Sequence, residues 1–255
     1  MKITRAVVPS LFTVLNIFCG FLAIIHIAHE EVLLASWFII LAAMFDTLDG
    51  VMARITKSSS DFGIEFDSLS DVVSFGVAPS FLVYTISLRE LDSFGMLLSA
   101  MPMVFGALRL ARFNAQIVGY DKDFFKGLPI PSTAIMISSF VLTYYDEGTG
   151  LQNLGVALLP PLIVVLSLLM VSTIKYDAVP KFSRRGIKQH PLRFTIGVIG
   201  ITAILLTRGR AMFPFFVFYT ATGPLRYSVQ LVRHLLHPAD KTVEEKDAEI
   251  TSVDI

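Results

Sequence analysis

The residues best suited to do chemistry sit in one short stretch: Asp46, Asp49, Gly50, Ala53 and Arg54, then Gly63, Asp67 and Asp71. The first group closes one apolar run and the second opens the next. Ionisable groups inside membrane-crossing segments are costly, so four carboxylates there require compensation. With helical geometry, Asp46, Asp49, Gly50, Ala53 and Arg54 share an arc of about 140°, and Gly63, Asp67, Ser70, Asp71 and Ser74 share one of about 100°. A short connection makes the two helices antiparallel neighbours, so the two polar faces can meet. Arg54 alone cannot neutralise four carboxylates, but divalent cations can. Oxygen ligands with no His or Cys beside them select Mg²⁺, Mn²⁺ or Ca²⁺. Two such ions about 3.5 to 4 Å apart form the clamp used in phosphoryl chemistry. Gly50, Ala53 and Gly63 then leave room for a ligand, or else let helices pack closely. The acids have two competing readings, a hydrated ion-pair patch and a cation or proton pathway. A pathway distributes its acids through the depth of the membrane. These lie within about 12 Å of the boundary marked by Arg54.

The elements that must position these residues follow from composition. Of 255 residues, 54% are apolar and 16% charged, with a mean hydropathy of +0.67, against about 25% charged in ordinary soluble proteins. A water-soluble globule is excluded. The balance of 21 basic and 21 acidic residues gives no broad positive field, so a nucleic-acid partner is not expected. Runs near the 20 residues or so that cross a bilayer predict an all-α, polytopic membrane bundle of about eight helices. These are Leu11–Ala28, Val32–Arg54, Phe66–Leu88, Phe94–Gln116, Pro131–Asp146, Gln152–Thr173, Leu192–Thr207 and Ala211–Val232. The fifth and seventh are short, and the turn at Thr207–Arg210 favours true spans over a re-entrant hairpin. Strands are not expected, since alternation is absent. With the amino terminus inside, 18 of the 21 basic residues fall in inner loops, which predicts a cytosolic N-terminus and a site facing the cytosol. A cleaved signal sequence is disfavoured by the length of the first run and the absence of a small-residue cleavage site. Residues 1–237 read as one transmembrane catalytic domain with its core motif at 46–71, and 238–255 as a disordered cytosolic tail. The basic loop from Lys175 to Arg193 suits anionic headgroups or topology control. No internal repeat stands out, and Cys19 reads as an inert buried thiol.

Other polar residues are less specific. Arg109 and Arg112 share a helix face, with Asn114 and Lys126 beyond them, and suit either a carboxylate or a phosphate. Thr13 and Asn16 either line a nucleotide or hydrogen-bond a neighbouring helix. His26, His29, His190, His234 and His237 are scattered and form no ligand set.

The string D-x2-D-G-x2-A-R-x8-G-x3-D-x3-D, filled here from Asp46 to Asp71, resembles the signature of the CDP-alcohol phosphatidyltransferases. Ser68–Pro79, Leu108–Asn114, Lys126–Pro131 and the opening Pro9–Asn16 are similar to the serine-using branch of that family, with Ser10 where the branch often has Asn. The resemblance covers roughly residues 9–135. It implies that Asp46, Asp49, Asp67 and Asp71 hold two divalent cations, Mg²⁺ or Mn²⁺ with Ca²⁺ as an alternative. It also implies that Gly50, Ala53, Arg54 and Gly63 hold the cytidine diphosphate part of a CDP-diacylglycerol donor. Asp71 would be the general base, with Asp67 and Arg54 also in the catalytic set. The implied reaction transfers a phosphatidyl group to L-serine in the cytoplasmic membrane, releasing CMP. Arg109, Arg112, Asn114 and Lys126 would meet the serine or the lipid phosphate, and Thr13 and Asn16 the nucleotide side. Glycerol 3-phosphate or inositol as acceptor, or a cation transporter, are the alternatives. Family members are often homodimers.

Overall fold

Apolar runs of this length become helices because a bilayer offers no water to backbone N–H and C=O groups, which must pair within their own segment. The computed structural model describes residues 7–56, 60–115, 124–177 and 209–236, with isolated positions at 204, 206 and 207. Helix α1 (Val7–Ala28) and helix α2 (Val32–Thr56) form an antiparallel hairpin, the most extensive helix pair among the described elements. Its turn is tight. Glu30 adopts a left-handed φ of 64°, and the Glu31 N–H reaches back to the His26 carbonyl at 2.9 Å. The His26 ring meets the Glu31 carboxylate and stacks on Phe38 at 5.0 Å.

The next crossing runs without a break from Asp61 to Ile86. Ser60 caps its start by accepting the Gly63 N–H at 3.1 Å, so the helix begins a full turn before the expected Phe66. It comprises α3 (Asp61–Asp71), a π-helical turn (Val72–Val77) and α4 (Ala78–Ile86). Pro79 accounts for the π turn, because a proline ring clashes with the carbonyl four residues back and lacks an N–H. The Ala78 N–H accordingly bonds to the Val73 carbonyl, five residues away.

After a short 3₁₀ turn, α5 (Asp92–Ala115) carries Pro102 in its interior. The Met103 N–H donates to the Ser80 hydroxyl at 3.1 Å, tying α5 to α4. Helix α6 (Ile130–Tyr144) has only 15 residues, ten of them buried. At about 22 Å it is short for a lipid-exposed span, but its neighbours enclose it. Helix α7 (Asn153–Val171) follows, and α8 (Met212–Leu236) closes the described chain.

Five long apolar helices and one shorter one thus stand among the described residues, where eight spans were expected. The expected seventh lies almost wholly outside those residues, as does the tail. The eighth corresponds to α8, which is outside the set of five because its second half is diluted by Arg226, Ser228 and Gln230. The outward faces of the bundle expose Leu11, Phe18, Phe21, Leu97 and Phe218, as a protein solvated by lipid requires. The chain is an integral membrane protein.

The expected absence of strands is corrected at two points. Strand β1 (Phe124–Lys126) pairs antiparallel with β4 (Lys175–Asp177), and β2 (Tyr145–Asp146) with β3 (Gly150–Leu151). Both ladders are two or three residues long and connect helix ends, where chain leaving a helix needs partners for its backbone groups. Alternation cannot reveal ladders this short. The β1–β4 pair continues into α6: the Gly127 N–H bonds Ile174 and the Leu128 N–H bonds Leu169. Gly127 has φ +80°, and a Cβ there would drive into the Met170 carbonyl.

Candidate active site

Asp46 and Asp49 are three apart on α2, and Asp67 and Asp71 four apart on α3, so each pair faces one way. Helix α1 packs against both α2 and α3, and the two pairs come together beside it. Asp46, Asp67 and Asp71 each place one carboxylate oxygen within 4.8 Å of the other two. Asp49 is buried beside this trio, close enough for its charge to act on Asp46 and Asp67. None of the four acids pairs with a basic group at salt-bridge distance among the described residues, where the ion pair is His26 with Glu31.

Helix α1 forms the third wall. Thr13 and Asn16 are buried, at 3% and 0% exposure. The Thr13 hydroxyl donates to Asp49 Oδ2 and the Asn16 amide donates to Asp71 Oδ1, both at 3.1 Å. In return, the Ser70 hydroxyl donates to the Thr13 carbonyl at 3.2 Å and the Ser74 hydroxyl to the Asn16 carbonyl at 2.9 Å. Helix α1 touches the π-helical turn at Gly20, where an added Cβ would sit 2.7 Å from the Ser74 Cα. Of the two readings open for Thr13 and Asn16, the structure displays hydrogen bonds to a neighbouring helix, and those bonds end on the acids. Ser70, Ser74 and Gly20 are the residues that sequence reasoning left without a role. Their signal was the small-residue stripe that aligns Ser70 and Ser74 with Asp67 and Asp71.

The buried polar atoms without a hydrogen-bond partner gather here. Asp49 Oδ1, Asp67 Oδ1, Asn16 Oδ1, Arg109 Nε and Asn114 Oδ1 are such atoms, and Ser138 and Ser167 hydroxyls complete the set among the described residues. Buried polar groups are normally satisfied, and bare carboxylate oxygens at the meeting of two acid pairs are what a hard cation would satisfy. The residues present therefore fit a divalent metal.

The other expected site residues spread outward from this cluster. Gly50 faces open space, with no atom within 4 Å of where an added methyl group would sit, and Ala53 is half-buried. Arg54 is exposed and its Nε donates to the Gly50 carbonyl at 2.9 Å, which keeps the guanidinium near the mouth of the acid cluster. Gly63 lies in the capped first turn of α3. Arg109 is 7% exposed and its charge acts on Asp71. Arg112, despite sharing that helix face, sends Nη1 to the Val171 carbonyl at 3.0 Å, at the carboxyl end of α7. Asn114 donates to the Ser68 hydroxyl at 3.0 Å and to Glu65 at 3.4 Å. Lys126 stands opposite Lys175 in the β1–β4 ladder, and its side chain lies outside the described residues. The structure thus brings Arg109 to the acids and places Arg112 and Asn114 at junctions between helices.

Comparison with known proteins follows the same outline. The family model described as CDP-alcohol phosphatidyltransferase matches residues 6–171, which spans α1 through α7. A CDP-diacylglycerol–serine O-phosphatidyltransferase of Helicobacter pylori strain J99 is 35% identical over 230 residues, covering 88% of this chain and 92% of the relative. A Bacillus subtilis protein of the same name is 33% identical over 181 residues, covering 71% of this chain and 96% of the relative. An archaetidylserine synthase of Methanothermobacter thermautotrophicus is 39% identical over 182 residues, covering 70% and 73% of the two chains.

Proposed function

The chain belongs to the CDP-alcohol phosphatidyltransferase family, and on that premise we propose that it is an enzyme transferring the phosphatidyl group of CDP-diacylglycerol to the hydroxyl of L-serine. The observation that carries this reading is the convergence of Asp46, Asp67 and Asp71 beside Asp49, with no basic group at salt-bridge distance among the described residues, at the end of the bundle where Arg54 marks the boundary. Serine as acceptor rests on the relatives, whose names share serine even where the lipid part differs.

The four acids would hold two divalent cations, Mg²⁺ or Mn²⁺. Bound there, the cations supply charge neutralisation at the diphosphate and at the departing CMP. Gly50, Ala53 and Gly63 offer a surface without side-chain bulk for the nucleotide end, and Arg54 at the rim adds a positive charge for its phosphate. The serine oxygen attacks the phosphorus bearing diacylglycerol, the bond from that phosphorus to the CMP oxygen breaks, and the hydroxyl proton passes to Asp71. The Asn16 bond holds Asp71 Oδ1 and so fixes the orientation of that carboxylate. Arg109, buried next to Asp71 with an unpartnered Nε, orients an anionic group of the acceptor or the transferred phosphate. The lipid tails enter sideways from the bilayer while the nucleotide stays in water. On the basic-loop asymmetry the site opens to the cytosol at the cytoplasmic membrane, and the family resemblance implies a homodimer.

The test is direct. Purified protein in mixed micelles is given CDP-diacylglycerol, Mg²⁺ or Mn²⁺, and L-serine, glycerol 3-phosphate or inositol in turn, with CMP release followed. Serine-dependent CMP release is expected. Release with another alcohol and none with serine would overturn the acceptor and leave the chemistry; no release with any, together with ion flux in vesicles lacking CDP-lipid, would overturn the reaction class.

A further inference from the structure

Two of the four carboxylates are held on one oxygen each by donors from the protein. Thr13 occupies Asp49 Oδ2, and Asp49 Oδ1 is buried without a partner. Asn16 occupies Asp71 Oδ1. Both donors lie on a single face of α1, and that helix is itself fixed to α3 by the Ser70 bond and to the π-helical turn that continues it by the Ser74 bond and the close approach at Gly20. The donors therefore cannot drift with the acids they hold. A cation gripped by both oxygens of a carboxylate must lie near the bisector of the group. A fixed donor on one oxygen turns the group so that the other oxygen leads.

We propose that Thr13 and Asn16 are positioning residues that set cation selectivity, presenting Asp49 and Asp71 through one oxygen each and so favouring Mg²⁺ or Mn²⁺ over Ca²⁺. Mg²⁺ demands near-ideal octahedral geometry at about 2.0 to 2.1 Å and leaves positions for substrate phosphate oxygens, whereas Ca²⁺ takes 6 to 8 oxygens or so and accepts two-oxygen carboxylates readily. Single-oxygen ligands give the first arrangement and starve the second. Partners of ligating groups commonly change metal affinity 10- to 100-fold or so when removed. The inference rests on the cation reading above, deepening it from which acids bind to how they choose.

The experiment titrates Mn²⁺ into the full-length protein in micelles without donor lipid, follows free Mn²⁺ by its electron paramagnetic resonance, and repeats the titration in competition with Ca²⁺. Melting without metal first establishes that each variant is folded. Thr13→Val keeps the shape and removes the donor, Asn16→Leu removes the amide, and Thr13→Ser keeps a hydroxyl. Thr13→Val and Asn16→Leu are each expected to lower the ratio of Mn²⁺ to Ca²⁺ affinity by about tenfold, and Thr13→Ser to stay within about twofold of the unaltered protein. If Asn16→Leu does not fold, Thr13→Val against Thr13→Ser decides. An unchanged ratio in a folded Thr13→Val that still binds Mn²⁺ would overturn the selectivity role and leave the cation reading standing. No Mn²⁺ binding by the unaltered protein would bring down the cation reading itself.

Discussion

Two parts of the bundle are built on different physics. Where α1, α2 and α3 meet, the contacts are directional: hydroxyl and amide donors to carboxylates and carbonyls at 2.9 to 3.2 Å. Where α6 meets α8, the contacts are aromatic edges, with Phe140 and Tyr144 against Phe213 at 5.4 and 5.7 Å, in near-perpendicular orientation. Within a bilayer neither part gains from leaving water, so both rely on packing and on polar bonds between helices. Aromatic packing tolerates small rotations. A carboxylate aimed at a shared ion does not, and directional bonds constrain the angle that packing leaves loose. The acid-bearing part is thus organised for placement, and the aromatic part for cohesion.

Substitutions in the two parts should then separate activity from stability. Asp67→Asn changes little volume but converts an acid of the trio to a neutral amide. It is expected to cut serine-dependent CMP release by about a thousandfold or more with an unchanged melting midpoint; a midpoint that falls in step with activity would erase the distinction. Phe140→Ala should do the reverse. The cavity it opens should cost on the order of 2 to 3 kcal/mol of helix packing, lowering the midpoint while CMP release per folded molecule persists. Loss of release in a fully folded Phe140→Ala protein would tie the aromatic part to the chemistry. Gly50→Ala sharpens the contrast at lower amplitude. The added methyl meets nothing within 4 Å in the protein, so stability should hold, while crowding of the donor should raise KM for CDP-diacylglycerol about tenfold. An unaltered KM would move the nucleotide away from that face.

Much of this was legible in the chain. Charge scarcity and run length identify a membrane bundle because the bilayer penalises every unpaired polar group. The Asp46–Asp71 spacing predicts the meeting of two acid pairs because three- and four-residue steps keep side chains on one helix face. The register of α1 was not legible. Thr13 and Asn16 are a polar pair among many, and their partners Asp49 and Asp71 lie 36 and 55 residues away. Arg109 and Arg112 look equivalent by spacing, yet one is buried at Asp71 and the other caps α7, because helix crossing angles rather than periodicity select their neighbours. The short α6 is explained in the same way: the sequence marks it as a short span, and only the surrounding helices show how 15 residues suffice.

What the amino-acid order determined by itself was local and periodic: which runs cross lipid, which carboxylates share a face, and that they must find positive counter-charge. What only the tertiary structure decided was which oxygens of Asp49 and Asp71 are held by protein donors, which arginine reaches the acids, and that α1 supplies the holding groups. Periodicity is a property of one helix, whereas these are relations among three helices. Their relative rotation is set by many close contacts, of which Gly20 against Ser74 is one, that no short motif records.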